Sequence, residues 1–292
     1  ETVPVLFHET IDALSIQPNG VYVDCTFGGG GHSRGILEKL GPNGQLVAFD
    51  QDADAQQNIQ NEPRLLFVPQ NFRHLQRFLR LHGITQVDGV LADLGVSSHQ
   101  FNEGDRGFSI RFEGPMDMRM DRRQTLTAAD IIQSYGEQQL HKLFEQYGEV
   151  TNAKTLAAHI VQQRTRLPYA TIDQFKAMIS AVVKGNPNKY LAQVFQALRM
   201  EVNDEMGALK DMLQQLPAIL KPGGIAAIIT FHSIEDRMVK HFFKQGHFDE
   251  VIDHPFESVE KVAVFKLVNK KPITAGEVEL KKNTRSRSAK LR

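Results

Sequence analysis

Three aspartates stand directly after short apolar runs. Asp24 follows Val21-Tyr22-Val23, Asp50 follows Gln45-Leu46-Val47-Ala48-Phe49, and Asp93 follows Val87-Asp88-Gly89-Val90-Leu91-Ala92. An ionised carboxylate accepts hydrogen bonds from hydroxyls or amines, or takes up a proton. Between the first two acids lies Gly28-Gly29-Gly30-Gly31, followed by His32 and Ser33. Glycines permit positive φ and let a ligand approach the backbone closely; a purely structural glycine turn is the plainer alternative. Asp50 comes 26 positions after Asp24, where an acid suits the paired hydroxyls of a ribose. The pattern describes nucleoside recognition. Asp93 is the first candidate for chemistry, with a helix cap as its structural alternative.

For these acids to share one edge, their strands must be parallel and joined by helical crossovers. The apolar spacing predicts helices over residues 8–14, 33–40, 52–60 and 72–81, and a third strand over Leu65-Leu66-Phe67-Val68. The resulting β-α-β-α-β-α-β order is that of an α/β, doubly wound, Rossmann-like sheet. Phe72, just past the third strand, either covers an adenine face or is core. A dinucleotide fingerprint would be G-x-G-x-x-G, but its last glycine falls on Ser33 or Arg34, depending on where the frame starts. A nucleoside without pyrophosphate fits better, and S-adenosylmethionine is the common one. A nicotinamide dehydrogenase is the competing reading, opposed by that missing glycine.

Composition narrows the classes. The 292 residues are 41% hydrophobic and 23% charged with a formal net charge of zero, so a basic surface must be local. The single cysteine, Cys25, excludes an internal disulfide and suits a reducing, cytoplasmic compartment. No apolar run approaches a membrane span and no signal peptide is evident. The histidines show no paired metal-ligand spacing, so no metal is expected.

After Gln100 the character changes. Residues 106–123 carry Arg106, Arg111, Arg119, Arg122 and Arg123 among Phe108, Phe112 and methionines. Such a loop suits phosphate contact with base stacking, or else a solvated surface. Residues 125–190 read as helices only, beginning near Thr127 and at 137–147, 151–163 and 172–183. A long helix over 190–220, a fifth strand over 225–230 and a helix over 235–243 return the chain to the sheet. Residues 251–253 and 262–268 are expected to form a hairpin. From Lys281 onward there is no acid, so the end is a basic tail, either contacting nucleic acid or merely solvated. The predicted division is a methyltransferase domain in two parts, 1–105 and 191–292, around a helical substrate-recognition insert, 106–190. His232, after the fifth strand, is a further candidate substrate contact.

Five blocks together carry a family resemblance. They are Asp24-Cys25-Thr26-Phe27-Gly28-Gly29-Gly30-Gly31-His32-Ser33, Asp93-Leu94-Gly95-Val96-Ser97-Ser98, Arg106-Gly107-Phe108-Ser109, Gly114-Pro115-Met116-Asp117-Met118-Arg119-Met120-Asp121 and Phe231-His232-Ser233-Ile234-Glu235-Asp236-Arg237. Over nearly its whole length the chain resembles bacterial small-subunit (16S) ribosomal RNA (cytosine-N4)-methyltransferases of the MraW type. The resemblance implies a class I methyltransferase sheet with an inserted helical domain. It implies that Gly30, Gly31, His32, Asp50, Phe72, Asp93 and Gln100 line an S-adenosylmethionine site. It also implies a cytosine target in the decoding region of small-subunit ribosomal RNA, within an assembled or assembling subunit, and it leaves homo-oligomerisation open. Methylation at cytosine C5 would need a cysteine nucleophile, and Cys25 lies in the cofactor turn. Many amino-methyltransferases carry Asn/Asp/Ser-Pro-Pro-aromatic where this chain has Asp93-Leu94-Gly95-Val96. That difference keeps a non-catalytic RNA-binding factor as a third reading.

Overall fold

The computed structural model describes residues 3–248 and 263–292. In chain order, helix α1 (Phe7–Leu14) leads into β1 (Val21–Asp24), α2 (Gly31–Lys39) and β2 (Gln45–Phe49). A 3-10 turn, Ala53–Asn58, connects to β3 (Leu65–Val68). A second 3-10 turn, Phe72–His74, leads to α3 (Leu75–Leu81) and β4 (Val87–Asp93). Six helices follow: α4 (Ser98–Asn102), α5 (Ala128–Ser134), α6 (Glu137–Gln146), α7 (Ala153–Gln163), α8 (Ile172–Ile179) and α9 (Pro187–Val202). The chain closes with α10 (Glu205–Ile219), β5 (Leu220–Thr230), α11 (Ser233–Gln245), α12 (Glu277–Lys282) and β6 (Lys290–Leu291).

The strands form one sheet in the order β3-β2-β1-β4-β5-β6. All neighbours are parallel except β5 and β6, which run antiparallel. The chain winds outward from β1 in one direction and restarts at β4 in the other, so the strand order reverses between β1 and β4. That reversal is where doubly wound sheets bind ligands, beyond the carboxyl ends of the strands. The central strands are buried on both faces, which explains their unbroken apolar runs.

Two compact units result: Glu1–Gly95 with Gly207–Arg292, and Val96–Met206. The second begins at Val96 and ends at Met206, against the 106–190 read from sequence. The reason is packing: Tyr190, Leu191, Val194, Phe195 and Leu198 of α9 share one core with Leu140, Phe144, Leu156 and Phe175. Its helices start where side chains satisfy free backbone N–H groups. Thr127 and Asp130 close a capping box on α5, as do Thr171 and Gln174 on α8. Asn186 caps α9, with Pro187 at its first turn.

Four expectations change. The helix read over 190–220 is two helices. Between them Asn203, 2% exposed, accepts from the Met120 N–H at 2.8 Å and donates to the Met118 carbonyl at 2.9 Å, while Asp204 takes φ 45°. The helix read over 52–60 is a 3-10 turn held by the Asp52 side chain. Of the expected hairpin, 251–253 and 262 lie outside the described residues, and 263–268 carry no strand. The basic tail is built into the sheet: β6 pairs with β5, and the Arg292 Nε donates to the Asp236 carboxylate at 2.7 Å. A short antiparallel edge strand has too few residues to show in sequence periodicity.

Candidate active site

The first turn is organised by Asp24. It is fully buried and accepts from the Ser33 hydroxyl at 2.7 Å and the Thr26 N–H at 3.0 Å. Burial raises its carboxyl pKa against those bonds. Asp24 therefore ties the end of β1 to the first turn of α2 and offers little to a ligand. The residues between take conformations that glycine favours, with Gly28 at φ 53° and Gly30 at φ 81°. A side chain at Gly31 would collide with Pro4, whereas a Cβ at Gly29 would meet nothing within 4 Å. The turn thus has a crowded flank and an open one.

Asp50, one residue past β2, spans that turn. One carboxylate oxygen accepts the Gly28 N–H at 2.7 Å, and the other accepts the Asp52 N–H at 2.9 Å. Burial pushes its pKa up to about 6, opposed by these two backbone bonds. A carboxylate has roughly four lone-pair sites, so each oxygen keeps one for a ribose hydroxyl. Phe72 lies at the same sheet edge, half-buried. The side chain of neighbouring Asn71 donates to that of Gln51 at 3.1 Å, tying the end of β3 to the end of β2.

Asp93 closes β4. Its N–H donates to the Thr26 hydroxyl at 2.7 Å, so Thr26 serves both Asp24 and Asp93. His32 is 5% exposed and hydrogen-bonds through Nε2 to the Val5 carbonyl at 3.1 Å. A carbonyl only accepts, so Nε2 carries the proton, and Nδ1 lies 3.7 Å from the Asp93 carboxylate. Burial pushes Asp93 up to about 6, with His32 and then Arg285 favouring its charged form. A carboxylate with that pKa is mostly ionised at neutral pH yet close enough to it to exchange protons.

Gly30, Gly31, His32, Asp50, Phe72 and Asp93 are thus brought to one edge of the sheet unit. Gln100 belongs to the other unit, where its side-chain carbonyl accepts the Ser97 N–H at 3.1 Å and closes the capping box on α4. His232 caps α11: its Nδ1 accepts the Glu235 N–H at 3.3 Å, and its Nε2 lies 3.2 Å from the Glu235 carboxylate. The Cys25 thiol is buried and pushed well up by that burial, which suits packing and not nucleophilic attack. Sequence reasoning gave no site role to Thr26 or Val5, and placed Arg285 only in the basic tail. Thr26 and Ser33 sit inside the glycine block, where hydroxyl residues two and nine positions after Asp24 could have been read as its supports.

The arginine loop differs from its expectation. Arg106 is 3% exposed, donates to the Arg119 and Met120 carbonyls at 2.9 and 3.2 Å, and lies over the Phe108 ring. Phe108, Met116, Met118 and Met120 belong to the core of the helical unit. Arg119 pairs with Asp117 at 2.8 Å and donates to the Gln124 carbonyl, and Arg123 pairs with Asp121. Phe108 is therefore not available for base stacking. The loop is folded because the Arg106, Arg119 and Arg123 guanidinium groups meet backbone carbonyls or a nearby acid, a bonding pattern with no period along the chain. Among the described residues no cluster of His, Cys, Asp or Glu is placed to hold a metal ion, and no helix is long and apolar enough to cross a membrane.

A doubly wound parallel sheet, a glycine turn after its first strand and an acid after its second make a Rossmann-like fold, and the family that the chain belongs to is one of methyltransferases. The chain belongs to the MraW methylase family, whose sequence profile matches residues 1–292. It is 52% identical to the ribosomal RNA small subunit methyltransferase H of Bacteroides thetaiotaomicron, over 99% of this chain and 95% of that one. The protein of the same name from Parabacteroides distasonis is 50% identical with the same coverage. The crystal structure of TrmN from Thermus thermophilus aligns with 80% of this chain and 40% of its own, at 13% identity and a TM-score of 0.37. That likeness is too slight to inform the site.

Proposed function

We propose that this enzyme transfers the methyl group of S-adenosylmethionine to the exocyclic N4 amine of a cytosine in the decoding region of small-subunit ribosomal RNA. The observation that carries the reading is the placing of Asp50 and Asp93 at the ends of β2 and β4, on either side of the β1 glycine turn. The residues fit the cofactor. Asp50 keeps acceptor capacity for the ribose, Phe72 offers a ring at the adenine side, and the open flank at Gly29 admits a ligand against the backbone.

The bound cofactor supplies an electrophilic methyl on a sulfonium. Everything else is alignment and proton handling by the chain. Gly28, Gly30 and Gly31 shape the cradle, and Asp50 fixes its rotation. A cytosine amine is a weak nucleophile because its lone pair is delocalised into the ring. The Asp93 carboxylate, accepting one amine N–H, favours the pyramidal form and takes the proton released on transfer. His32, anchored on Val5, sets its ring beside that carboxylate, with Nδ1 3.7 Å from it. The helical unit grips the RNA, and in its loop the exposed Arg111 and Phe112 replace Arg119 and Phe108 as candidate contacts. The reading puts the enzyme in the cytoplasm, acting on an assembled or assembling small subunit.

The test is incubation with radiolabelled S-adenosylmethionine and small-subunit RNA, naked and assembled, followed by nucleoside analysis. N4-methylcytidine is the expected product. Label at C5, or none in either substrate, overturns the reading.

A further inference from the structure

The sheet unit carries a cationic groove that the methyl-transfer chemistry does not use. Between Glu62 and Asp88 the sequence holds no acid, yet it includes Arg64, Arg73, His74, Arg77, Arg80 and His82. In a chain of zero net charge this is a local concentration. Arg64 is neutralised by Glu62 at 2.8 Å. Arg73, His74, Arg77 and Arg80 fall on the 3-10 turn and α3, which border an open cavity of about 510 Å³ lined by these four, Leu81 and Gln215 among others.

The groove is built. Gln215 of α10 donates to the Arg73 carbonyl at 2.7 Å and accepts the Gln76 N–H at 2.7 Å. Asp211 holds the Arg73 guanidinium at 2.9 Å. These bonds fix the start of α3 without using the next two arginines. Arg77 and Arg80 are exposed, one turn apart on the helix, and no carboxylate among the described residues pairs with either. Arg77 lies over the Phe78 ring at 5.8 Å, and Leu81 is 73% exposed. Two guanidinium groups beside an aromatic and an exposed apolar side chain match a strand of phosphates with sugar and base faces between them. The groove also begins in a telling place. Arg73 follows Phe72, next to the Asn71–Gln51 link between the ends of β3 and β2, so it opens beside the edge that carries Asp50.

We propose that the α3 groove is a second RNA-binding surface, in which Arg77 and Arg80 grip the phosphate backbone of the substrate RNA outside the target cytosine. The inference rests on the RNA-methyltransferase reading above and extends it to the sheet unit. An acidic protein segment is the alternative occupant.

The test compares wild type with Arg77→Gln/Arg80→Gln, and with Lys39→Gln/Lys221→Gln as a control losing two charges at the opposite sheet edge. Each protein is measured for binding to naked small-subunit RNA across salt concentrations, for KM and kcat on naked RNA and on assembled subunits, and for S-adenosylmethionine affinity. Losing two phosphate contacts should flatten the salt dependence by about 1.4 log units per log unit for single strands. Near 0.1 M salt that corresponds to about 25-fold weaker RNA binding, fading towards 1 M. The expected result is a raised KM on both substrates with kcat and cofactor affinity unchanged, and no such change in the control. An unchanged salt slope overturns the proposal. A KM raised only on assembled subunits overturns it in favour of a protein contact, and loss of cofactor binding overturns it in favour of a structural role. Failure of the underlying reading is separate: wild type would then methylate neither substrate.

Discussion

Replacing Asp50 by asparagine should move two observables that an exposed surface acid would leave alone. The carboxyl is raised from 3.8 to about 6 by burial, so the folded protein binds its proton more tightly than the unfolded chain. A raised acid pKa means that folding takes up a proton as pH falls through about 6, and that stability rises on acidification. From these two values, the Asp50 contribution between pH 7 and pH 4.5 is about 2 kcal/mol in favour of the folded state at the lower pH. Asp50→Asn cannot titrate and removes that increment. Urea unfolding of the cofactor-free protein at both pH values measures it: the change in unfolding free energy should be about 2 kcal/mol more favourable in wild type than in the variant. Binding should move as well. Losing hydrogen bonds from ribose hydroxyls to a charged group is worth about 1.5–3 kcal/mol, a roughly ten- to hundred-fold loss of S-adenosylmethionine affinity by calorimetry. If the pH increment is the same in both proteins and the affinity is unchanged, Asp50 is neither desolvated nor a ribose ligand, and the site is wrong.

Two further outcomes are expected. Because protonation removes the acceptor at Asp93, kcat/KM should fall about tenfold between pH 7 and pH 5, with an apparent pKa near 6; Asp93→Asn should be slow and lack that acid limb, and a variant retaining the limb refutes the assignment. Arg292→Ala leaves the buried Asp236 carboxylate with only the Thr230 hydroxyl at 3.0 Å and the Lys290 ammonium at 3.9 Å, and should cost about 2 kcal/mol in denaturant unfolding, whereas Arg292→Met with Asp236→Leu should recover most of the loss; a single variant as stable as wild type would mean that the pair does not anchor β6.

The first four strands and the acids at their ends were readable because buried parallel strands are continuous apolar runs ended by polar residues. Gly28 and Gly30 were readable for a related reason: only a local backbone demand explains four glycines in a row, and two of them do take positive φ. What was hidden depended on partners far along the chain. Asn203 breaks a helix not through its own propensity but by hydrogen-bonding to Met118 and Met120. Arg106 looked like a phosphate ligand because its carbonyl partners leave no mark in composition. At Gln100 the alphabet itself is ambiguous, since the same amide that can face a ligand also completes the Ser97 capping box. The C-terminal cations read as a basic tail, contacting nucleic acid or solvated, since two residues of strand pairing and one ion pair to Asp236 have no sequence period.

The split course of the sheet unit governs its synthesis. The ribosome delivers β1 to β4 first, then all of Val96–Met206, and only afterwards the β5 and β6 strands that complete the sheet. At translation rates of about 5–20 residues per second, β4 waits roughly 7–27 s for β5, its second neighbour. During that interval one side of β4 is an open, apolar edge of the kind that recruits other chains. The helical unit meanwhile emerges as one contiguous stretch with its own core, free to fold while the sheet waits. The seal comes late: Glu279 accepts the Leu6 N–H, and Lys290–Leu291 pairs with β5. A nascent chain stalled before β5 therefore presents an unpaired β4 edge to the chaperones around it.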